Sequence, residues 1–356
     1  MSPTTPRVKL KEAVGLLGDF ASELRCLACG SRLQLGSESR RDGCGADDVL
    51  ACDHCAEHYP IVGGTVRMVS SDALAPDEGG LAQRTADSFA YEWAQFGGLR
   101  HEWARNFEDY MRPHTPESLA GKKVLDVGTG SGRHAFHAAR AGARVAAVDL
   151  GASIDVARRN LPASVLTVQA DAEALPFEPA SFDLVMSIGV LHHLPDTERA
   201  LRSITRYAKP GGHVHIYLYW VPQQRWHRHL LWLVTAMRRL TVRLPHRLLH
   251  ALCYPLAAVL LVSFVAPYRV LRTWPRAAGL AAAMPLKTYA DYPFSVLVND
   301  QFDRFSAPLE RRFTAHEVRV MMEAAGLADV VVLPNHGWVA DGRRPTSPRG
   351  AGTPRA

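Results

Sequence analysis

A glycine-rich turn in residues 121–134, GKKVLDVGTGSGRH, carries the residues of this chain best suited to hold a small polar ligand. Gly128, Gly130 and Gly132 recur at every second position, and glycine lets backbone N–H groups come close to a ligand. Asp149 ends the next apolar run, RVAAVD, at about the spacing at which a carboxylate accepts hydrogen bonds from both hydroxyls of a ribose. Together the two features predict a nucleotide-type site.

The spacing of this turn differs from that of a dinucleotide-binding protein. A pyrophosphate site uses G-x-G-x-x-G, whereas Gly132 comes one residue early and Asp126 stands inside the motif. A carboxylate in that position repels a pyrophosphate and attracts an ammonium group. The turn therefore argues against a nicotinamide enzyme and favours a ligand that carries a positive charge.

Five stretches in order resemble the motifs of class I S-adenosyl-methionine-dependent methyltransferases: VLDVGTGSGRH, the strand-end Asp149, VQADAEALPF, FDLVMSIGVLHHLPD and AKPGG. The resemblance implies that S-adenosyl-L-methionine is the methyl donor. It implies that Asp126 and the glycine turn face the methionine part, Asp149 the ribose and Asp171 the adenine amino group. The cofactor-binding residues that it implies are Asp126, Gly128, Thr129, Gly130, Gly132, Asp149, Leu150, Asp171, Ala172, Ser187, Ile188 and Gly189.

Alternating strands and helices must position these residues. Strands are expected near 122–128, 144–149, 164–170, 182–189 and 213–220, with helices near 132–141, 152–160 and 196–207. Helical connections of this length give right-handed crossovers and a parallel sheet. We therefore predict an α/β fold with a doubly wound, mostly parallel, Rossmann-like sheet whose ligand lies at the carboxyl ends of the strands. LADVVVLPN predicts a sixth strand, whereas HGWVA leaves the seventh short or missing.

His192 and His193 follow the predicted fourth strand, where the acceptor pocket is expected. A neutral imidazole there could remove a proton from a phenol or hydroxyl as the methyl group arrives. The same pair is common in this family in enzymes with different substrates, which favours a structural role instead. Methyl transfer also needs no base when alignment and exclusion of water supply most of the rate. Both histidines are kept as candidate catalytic residues.

Two C-x-x-C pairs precede the core, Cys26 with Cys29 and, after a 22-residue spacer, Cys52 with Cys55. Four thiolates at this spacing suit a closed, structural Zn²⁺ site, and the segment resembles the zinc ribbon fused to many bacterial methyltransferases. The start, MSPTTPRVKLKEAV, shows no secretory signal, so we expect a reduced, cytosolic chain in which metal binding is favoured over disulfides. The alternative is thiols without a metal. Weaker candidate ligands are Cys44, His54 and His58.

The net charge of +6 is concentrated in one segment. Residues 221–290 contain ten Arg and Lys and no Asp or Glu, which leaves 31 basic against 35 acidic residues elsewhere. In the resembling family a helix follows the fifth strand closely, whereas about 90 residues intervene here before TAHEVRVMMEAAG, which is typical of a functional insertion. Its first part is expected to be an amphipathic helix with Leu230, Val234 and Met237 opposite Arg228, Arg238 and Arg239.

Three roles for this insertion stay open. The three roles are a helical cap over the acceptor pocket, a membrane-surface contact through residues 221–275, and a surface for dimerisation or nucleic acid. Nucleic acid is the disfavoured partner. Residues 248–268 carry no formal charge and are long enough to span a bilayer. A peripheral segment is favoured over a transmembrane one for two reasons. Pro255 and Pro267 interrupt or end the apolar run, and the segment lies between two parts of the chain that form one sheet.

The core motifs resemble those of quinone-pathway methyltransferases, so a small or lipid-like acceptor methylated on oxygen is the favoured prediction. One alternative is a methyltransferase of RNA or protein docked through the ribbon, although SIGVLHHL lacks the N-P-P-Y-type tetrad needed for amide nitrogen. Another is a noncatalytic binding protein on the same scaffold, against which the intact turn, Asp149 and Asp171 speak. We expect the chain in the cytoplasm, either soluble or attached peripherally to the inner membrane face.

The predicted divisions are a polar arm (1–25), the zinc ribbon (26–70), a linker and capping helix (71–115), the cofactor-binding core (116–220), the insertion (221–300), completion of the core (301–340) and a disordered tail (341–356). In the capping helix Phe89, Trp93 and Phe96 share one face, which is expected to pack on the sheet edge. The alternative is that Tyr91 or Trp93 closes over the cofactor.

Overall fold

The computed structural model describes residues 17–39, 46–69, 80–100, 102–222 and 224–346. The predictions for Cys44, most of the polar arm, most of the linker and residues 347–356 lie outside these ranges. The described chain forms two compact units. The first contains the residues up to 86, 98–221 and those from 309 onward, and the second contains 87–97 and 222–308.

Strands of the first unit form one sheet. In chain order they are β1 Leu33–Ser39, β2 Ala46–Cys52, β3 His58–Val62, β4 Thr65–Arg67, β5 Lys123–Val127, β6 Arg144–Asp149, β7 Leu166–Gln169, β8 Phe182–Ile188, β9 Ala208–Leu218, β10 Ala328–Pro334 and β11 Trp338–Arg343. Within the described residues their order across the sheet is β1-β2-β3-β4-β7-β6-β5-β8-β9-β11-β10. The run from β4 to β9 is parallel and both flanks are antiparallel, which confirms the predicted α/β class.

Helices connect the parallel strands. They are α1 Leu81–Phe96, α2 Trp103–Met111, α3 Arg133–Arg140, α4 Ser153–Asn160 and α5 Thr197–Thr205. After the central strand β5 the chain first adds β6 on one side and later adds β8 on the other side. The strand order therefore reverses at β5. Since ligands of such sheets bind outside the carboxyl ends at that reversal, the ends of β5 and β8 form the expected crevice.

The seventh strand of the core is complete, which corrects two predictions. β11 lies antiparallel between β9 and β10, and it includes residues 341–343, so the tail does not begin at 341. Val339, Ala340 and Asp341 are buried. The sequence was misleading because ADGR is polar, whereas the Asp341 carboxylate has its partners inside the protein.

The cysteine-bearing segment extends the same sheet. β4 pairs in parallel with β7, with Val66 opposite Val168, and the β3–β4 hairpin leads back to β2 and β1. Val66 and Met68 are fully buried, and Leu24 forms a bridge with Phe177 of the core. The ribbon is therefore part of the first unit's hydrophobic core and not a separate domain on a linker.

The second unit is helical. It contains α6 Arg225–Thr241, α7 His246–Leu260, a π-helical turn Leu261–Val265, α8 Ala266–Leu271, α9 Ala278–Ala283 and α10 Phe294–Ser306. Because α10 continues to Ser306, the insertion ends near 308 and not at 300. The first unit resumes with α11 Ala315–Ala324, where Thr314 and Glu317 form a capping box.

The structure corrects particular residues on two predicted helix faces in this unit. Phe96 packs against His250, with ring centroids 5.0 Å apart, and so joins the helical unit instead of the sheet edge. Arg238 is buried and Met237 is 45% exposed, so these two residues depart from the predicted amphipathic pattern. Val234 packs against the buried cluster, and Arg228 and Arg239 are exposed, as predicted. The Arg238 guanidinium donates from Nε to the carbonyl of Arg304 at 2.8 Å, and such capping of the last turn of α10 cannot be read from helix periodicity.

Candidate cofactor and metal sites

The glycine turn connects the end of β5 to the start of α3. Gly128, Gly130 and Gly132 have φ values of +76°, +56° and +83°, which side chains rarely adopt. The N–H groups of Gly128 and Thr129 both donate to the carbonyl of Val148, at 2.8 and 2.9 Å. Because these two N–H groups already donate to a protein carbonyl, they are not available to a ligand. The glycines are needed mainly because they allow the backbone conformation of the turn.

Asp149 holds this turn to the next strand. Its Oδ2 accepts from the Gly130 N–H at 2.9 Å, and its Oδ1 accepts from the Gly151 N–H at 3.0 Å and the Ser153 hydroxyl at 2.7 Å. Burial raises the pKa of Asp149, and these hydrogen bonds oppose the rise. Since a carboxylate offers about four acceptor positions, one remains for a ligand hydroxyl.

Asp126 is a buried carboxylate at the end of β5. It is 2% exposed, and its Oδ2 accepts from the Thr129 hydroxyl at 2.7 Å. Burial raises its pKa to about 7; the Thr129 hydrogen bond lowers it, and the neighbouring Asp149 adds to the rise. A positively charged ligand group beside Asp126 would therefore favour its ionised form.

The other predicted cofactor residues lie at the neighbouring strand ends. Asp171 follows β7 and accepts at Oδ1 from the Glu173 N–H at 2.9 Å, while the Ala170 N–H donates to the Asp149 carbonyl at 3.1 Å. Ser187 donates to the Val127 carbonyl at 2.9 Å. No heavy atom of the described chain lies within 4 Å of a Cβ built on Gly189, so there is open space beside the end of β8. Leu150, Ala172 and Ile188 complete the predicted set at these ends.

The two histidines differ in their surroundings. His192 is fully buried, and neither ring nitrogen has a hydrogen-bond partner in the described chain. Burial lowers its pKa well below the usual value, aided by His193 and Arg312, so its imidazole is neutral. Its ring lies 4.0 Å from the ring of Tyr219. His193 donates from Nδ1 to the carbonyl of Leu309 at 2.7 Å, which fixes its orientation.

Sequence reasoning missed the residues that surround this histidine pair. Arg312 donates from Nε to Glu310 at 2.8 Å, and its guanidinium lies 5.2 Å from the centre of the Tyr219 ring. The Glu310 side chain is only 4% exposed. The available signal in the sequence was the charged stretch LERR, which ends two residues before the capping-box Thr314.

The four predicted metal-binding cysteines converge. Cys26 and Cys55 place their sulfurs 3.5 Å apart, as do Cys29 and Cys52, and all four lie within 4.8 Å of one another. The two knuckles repeat one geometry, because Gly30 donates to the Cys26 carbonyl and Ala56 donates to the Cys52 carbonyl. Four sulfurs in such an array fit a tetrahedral Zn²⁺ site without an open position.

Comparison with known proteins agrees with the class that the fold defines. Residues 125–216 match the sequence profile described as "Methyltransferase domain". This match covers the strands and turns that bear most of the predicted cofactor residues. It confirms the recognition of a class I methyltransferase core from the ordered motifs.

Two curated relatives are ubiquinone biosynthesis O-methyltransferases. The chain is 36% identical over 139 residues to that of Stutzerimonas stutzeri (strain A1501) and 37% identical over 139 residues to that of Pseudomonas entomophila (strain L48). Each alignment covers 35% of this chain and 60% of the relative. The similarity therefore spans less than two thirds of those proteins.

Two solved structures are similar over longer stretches. The Burkholderia thailandensis 1,6-didemethyltoxoflavin-N1-methyltransferase is 18% identical, with a TM-score of 0.42, covering 84% of this chain and 96% of that one. The Haemonchus contortus phosphoethanolamine N-methyltransferase 2 is 18% identical, with a TM-score of 0.41, covering 81% and 62%.

Proposed function

We propose that this chain is an S-adenosyl-methionine-dependent methyltransferase that methylates an oxygen of a small or lipid-like acceptor. The observation that carries the proposal is the convergence of Asp126, Asp149, Asp171 and the open space beside Gly189 at the strand ends of a matched methyltransferase core. The donor supplies an electrophilic methyl group on a sulfonium. Oxygen is favoured over nitrogen because the relatives at 36 and 37% identity are named O-methyltransferases.

Each carboxylate has a separate role in binding the donor. Asp126, whose pKa is raised to about 7, pairs with the ammonium group and is ionised by it. Asp149 accepts from one ribose hydroxyl through the acceptor position that the turn leaves available. Asp171 accepts from the adenine amino group, and Ser187, Ile188 and Gly189 line the pocket.

His192 is the better candidate for proton removal of the two histidines. Its imidazole is neutral and its nitrogens have no hydrogen-bond partner in the described chain, whereas His193 spends Nδ1 on the Leu309 carbonyl. A buried polar atom without a partner costs free energy that an acceptor hydroxyl would recover. The Glu310–Arg312 pair beside Tyr219 orders the same region.

The ribbon binds a structural Zn²⁺ through Cys26, Cys29, Cys52 and Cys55. A Cys₄ site has no position for substrate, so the metal stabilises the fold and takes no part in methyl transfer. His54 and His58 are bystanders in this assignment.

The second unit carries an apolar stripe suited to a membrane surface. Leu248, Leu252, Val259 and Val262 follow one another at helical spacing and are 48–69% exposed. Exposed Arg243, Arg247 and Arg276 flank the ends of this stretch. The helix His246–Leu271 is long and apolar enough to cross a bilayer by length and composition, with 22% of its most apolar window buried. We place it at the headgroup level of the inner face, because the core lies on both sides of it in the sequence.

The test uses methyl-labelled S-adenosyl-methionine with purified protein and a cell extract, followed by partition of the label. Label in the organic phase is expected, and an Asp149→Ala variant should abolish it. Label in RNA or protein would instead support docking of a macromolecule through the ribbon. Failure of the protein to bind S-adenosyl-methionine in calorimetry would leave a noncatalytic binding protein.

A further inference from the structure

A second group of metal-ligating side chains lies on the opposite flank of the sheet from the ribbon. His213 and His215 occupy alternate positions of β9 and therefore face the same side, and Asp341 of β11 is paired with His215 in the strand register. His114 comes from the turn after α2 and reaches the same carboxylate. The cofactor and zinc assignments use none of these residues.

One buried carboxylate organises the three histidines. The Asp341 Oδ1 lies 2.7 Å from His114 Nε2 and 3.4 Å from His215 Nδ1, and its Oδ2 lies 2.8 Å from His213 Nδ1. Asp341 is 4% exposed and His215 is fully buried.

The hydrogen bonding of His215 indicates which of its two ring nitrogens carries a proton. Nε2 lies 2.7 Å from the Tyr110 carbonyl, which can only accept, so Nε2 carries a proton. In a neutral His215 ring, Nδ1 then presents a lone pair to the Asp341 Oδ1 atom, and Nδ1 has no hydrogen-bond partner in the described chain. Two lone pairs that face each other in a buried site repel, and either a second proton on the imidazole or a metal ion between them removes that repulsion.

A metal ion satisfies this arrangement better than an extra proton. Metal-binding histidines characteristically donate their other N–H to a backbone carbonyl or carboxylate, as His215 does to Tyr110. Bonds of about 2.1 Å to a tetrahedral ion place two ligand atoms about 3.4 Å apart. The 3.4 Å contact between His215 and Oδ1 matches that value, whereas the 2.7 Å contact from His114 has the length of a direct hydrogen bond and must lengthen when an ion enters. The ligand atoms of His114, His215 and Asp341 lie within 4.8 Å of one another.

We propose that His114, His215 and Asp341 bind a divalent transition metal ion of the zinc class, as a site separate from the cysteine cluster. His213 is not a ligand: it positions the carboxylate through Oδ2. The ion joins three segments distant in sequence, the turn after α2, β9 and β11, and so secures the C-terminal strand. Imidazole and carboxylate donors also suit iron, nickel and copper, so the identity of the ion is decided by measurement.

The experiment titrates metal-free, full-length protein with Co²⁺ under reducing conditions. One equivalent should produce the intense thiolate-to-cobalt absorption of the cysteine site. A second should add only weak visible bands typical of nitrogen and oxygen ligands. In Cys52→Ser protein the thiolate band should collapse while the second site persists, and metal analysis after dialysis should follow the same pattern.

Two histidine variants distinguish a metal site from simple hydrogen bonding. His114→Ala removes a ligand and His213→Ala removes a positioning contact, although both delete one hydrogen bond to Asp341. His114→Ala should lose the second equivalent, whereas His213→Ala should keep it with weaker affinity. A wild-type protein that binds cobalt only at its thiolates, or two variants that behave identically, would overturn the proposal, and neither outcome bears on methyl transfer.

Discussion

The Val190 side chain lies directly against Gly128, so that a Cβ on Gly128 would stand 2.4 Å from Val190 Cγ2. Gly128 ends the central strand β5, and Val190 follows β8, its neighbour in the sheet. Because Gly128 has no side chain, Val190 packs directly against its backbone, and the two strand ends that form the crevice lie close together. Glycine is required here for two reasons, the contact and a φ of +76°.

Gly128→Ala should therefore destabilise the protein more than Gly189→Ala. Both residues have positive φ, which costs alanine about 1–2 kcal/mol. Only Gly128 adds a clash, so we expect a total loss above about 3 kcal/mol. Urea unfolding measures both losses, and Val190→Ala should restore part of the stability of Gly128→Ala. Equal losses in the two glycine variants would contradict this account.

The affinity for S-adenosyl-methionine should depend on pH through Asp126. Because its pKa is raised to about 7, the free protein is largely protonated there below pH 7, whereas pairing with an ammonium requires the ionised form. Affinity should fall about tenfold for each pH unit below 7. Calorimetry should also detect release of a proton on binding.

The matched control for this effect is Asp126→Asn. Asp126 stands between Thr129, Asp149 and Arg133, so the substitution keeps the shape and removes the titration. The variant should bind weakly and without pH dependence in that window. The raised pKa also lowers the free energy of unfolding as pH rises from about 4 to about 7, since the folded state holds the proton longer.

Turnover should depend on His192 more than on His193. Loss of a general base typically costs 10²- to 10⁴-fold in rate. His192→Gln should lower kcat by about that factor on a phenolic acceptor, with a small change in KM. Since the pKa of His192 lies well below its usual value, wild-type kcat should stay level above neutral pH. Unchanged turnover in His192→Gln would remove the base from the mechanism.

Binding to anionic vesicles should require the apolar stripe of α7. Leu252 and Val259 are 49% and 61% exposed, and placing aspartate at both positions opposes insertion and repels the anionic surface. The double variant Leu252→Asp/Val259→Asp should bind about 10²-fold more weakly in sedimentation assays. Val320→Asp, at a 47% exposed position in α11 of the first unit, should bind like wild type. If both proteins bind equally, the stripe serves another purpose.

Local patterns were sufficient for the parallel core. The apolar run of β5, the glycine turn and Asp149 are close in sequence, so their types and spacing predicted both the elements and their order. Residues 314–326 were recognisable as a helix for the same reason, since Thr314 and Glu317 satisfy its first N–H groups locally. The two C-x-x-C pairs were likewise recognisable from their local spacing alone.

Contacts between distant segments were not predictable in this way. His114 and Asp341 are 227 positions apart, and the sequence placed Asp341 in a polar tail, whereas the structure pairs β11 with β9 and brings His114, in the turn after α2, against the Asp341 carboxylate. Arg238 followed a helical period that predicted exposure, yet it caps a helix 66 positions later. Both cases involve polar side chains that are buried because distant segments supply their partners.

The parallel pairing of β4 with β7 also decides what the molecule presents to its neighbours in solution. Without β4, the fully buried Leu166, Thr167 and Val168 would form an open sheet edge whose unpaired N–H and C=O groups recruit strands from other chains. The cysteine-bearing segment moves that edge outward to β1. Unfolding of this segment would therefore expose the edge of β7 and promote aggregation.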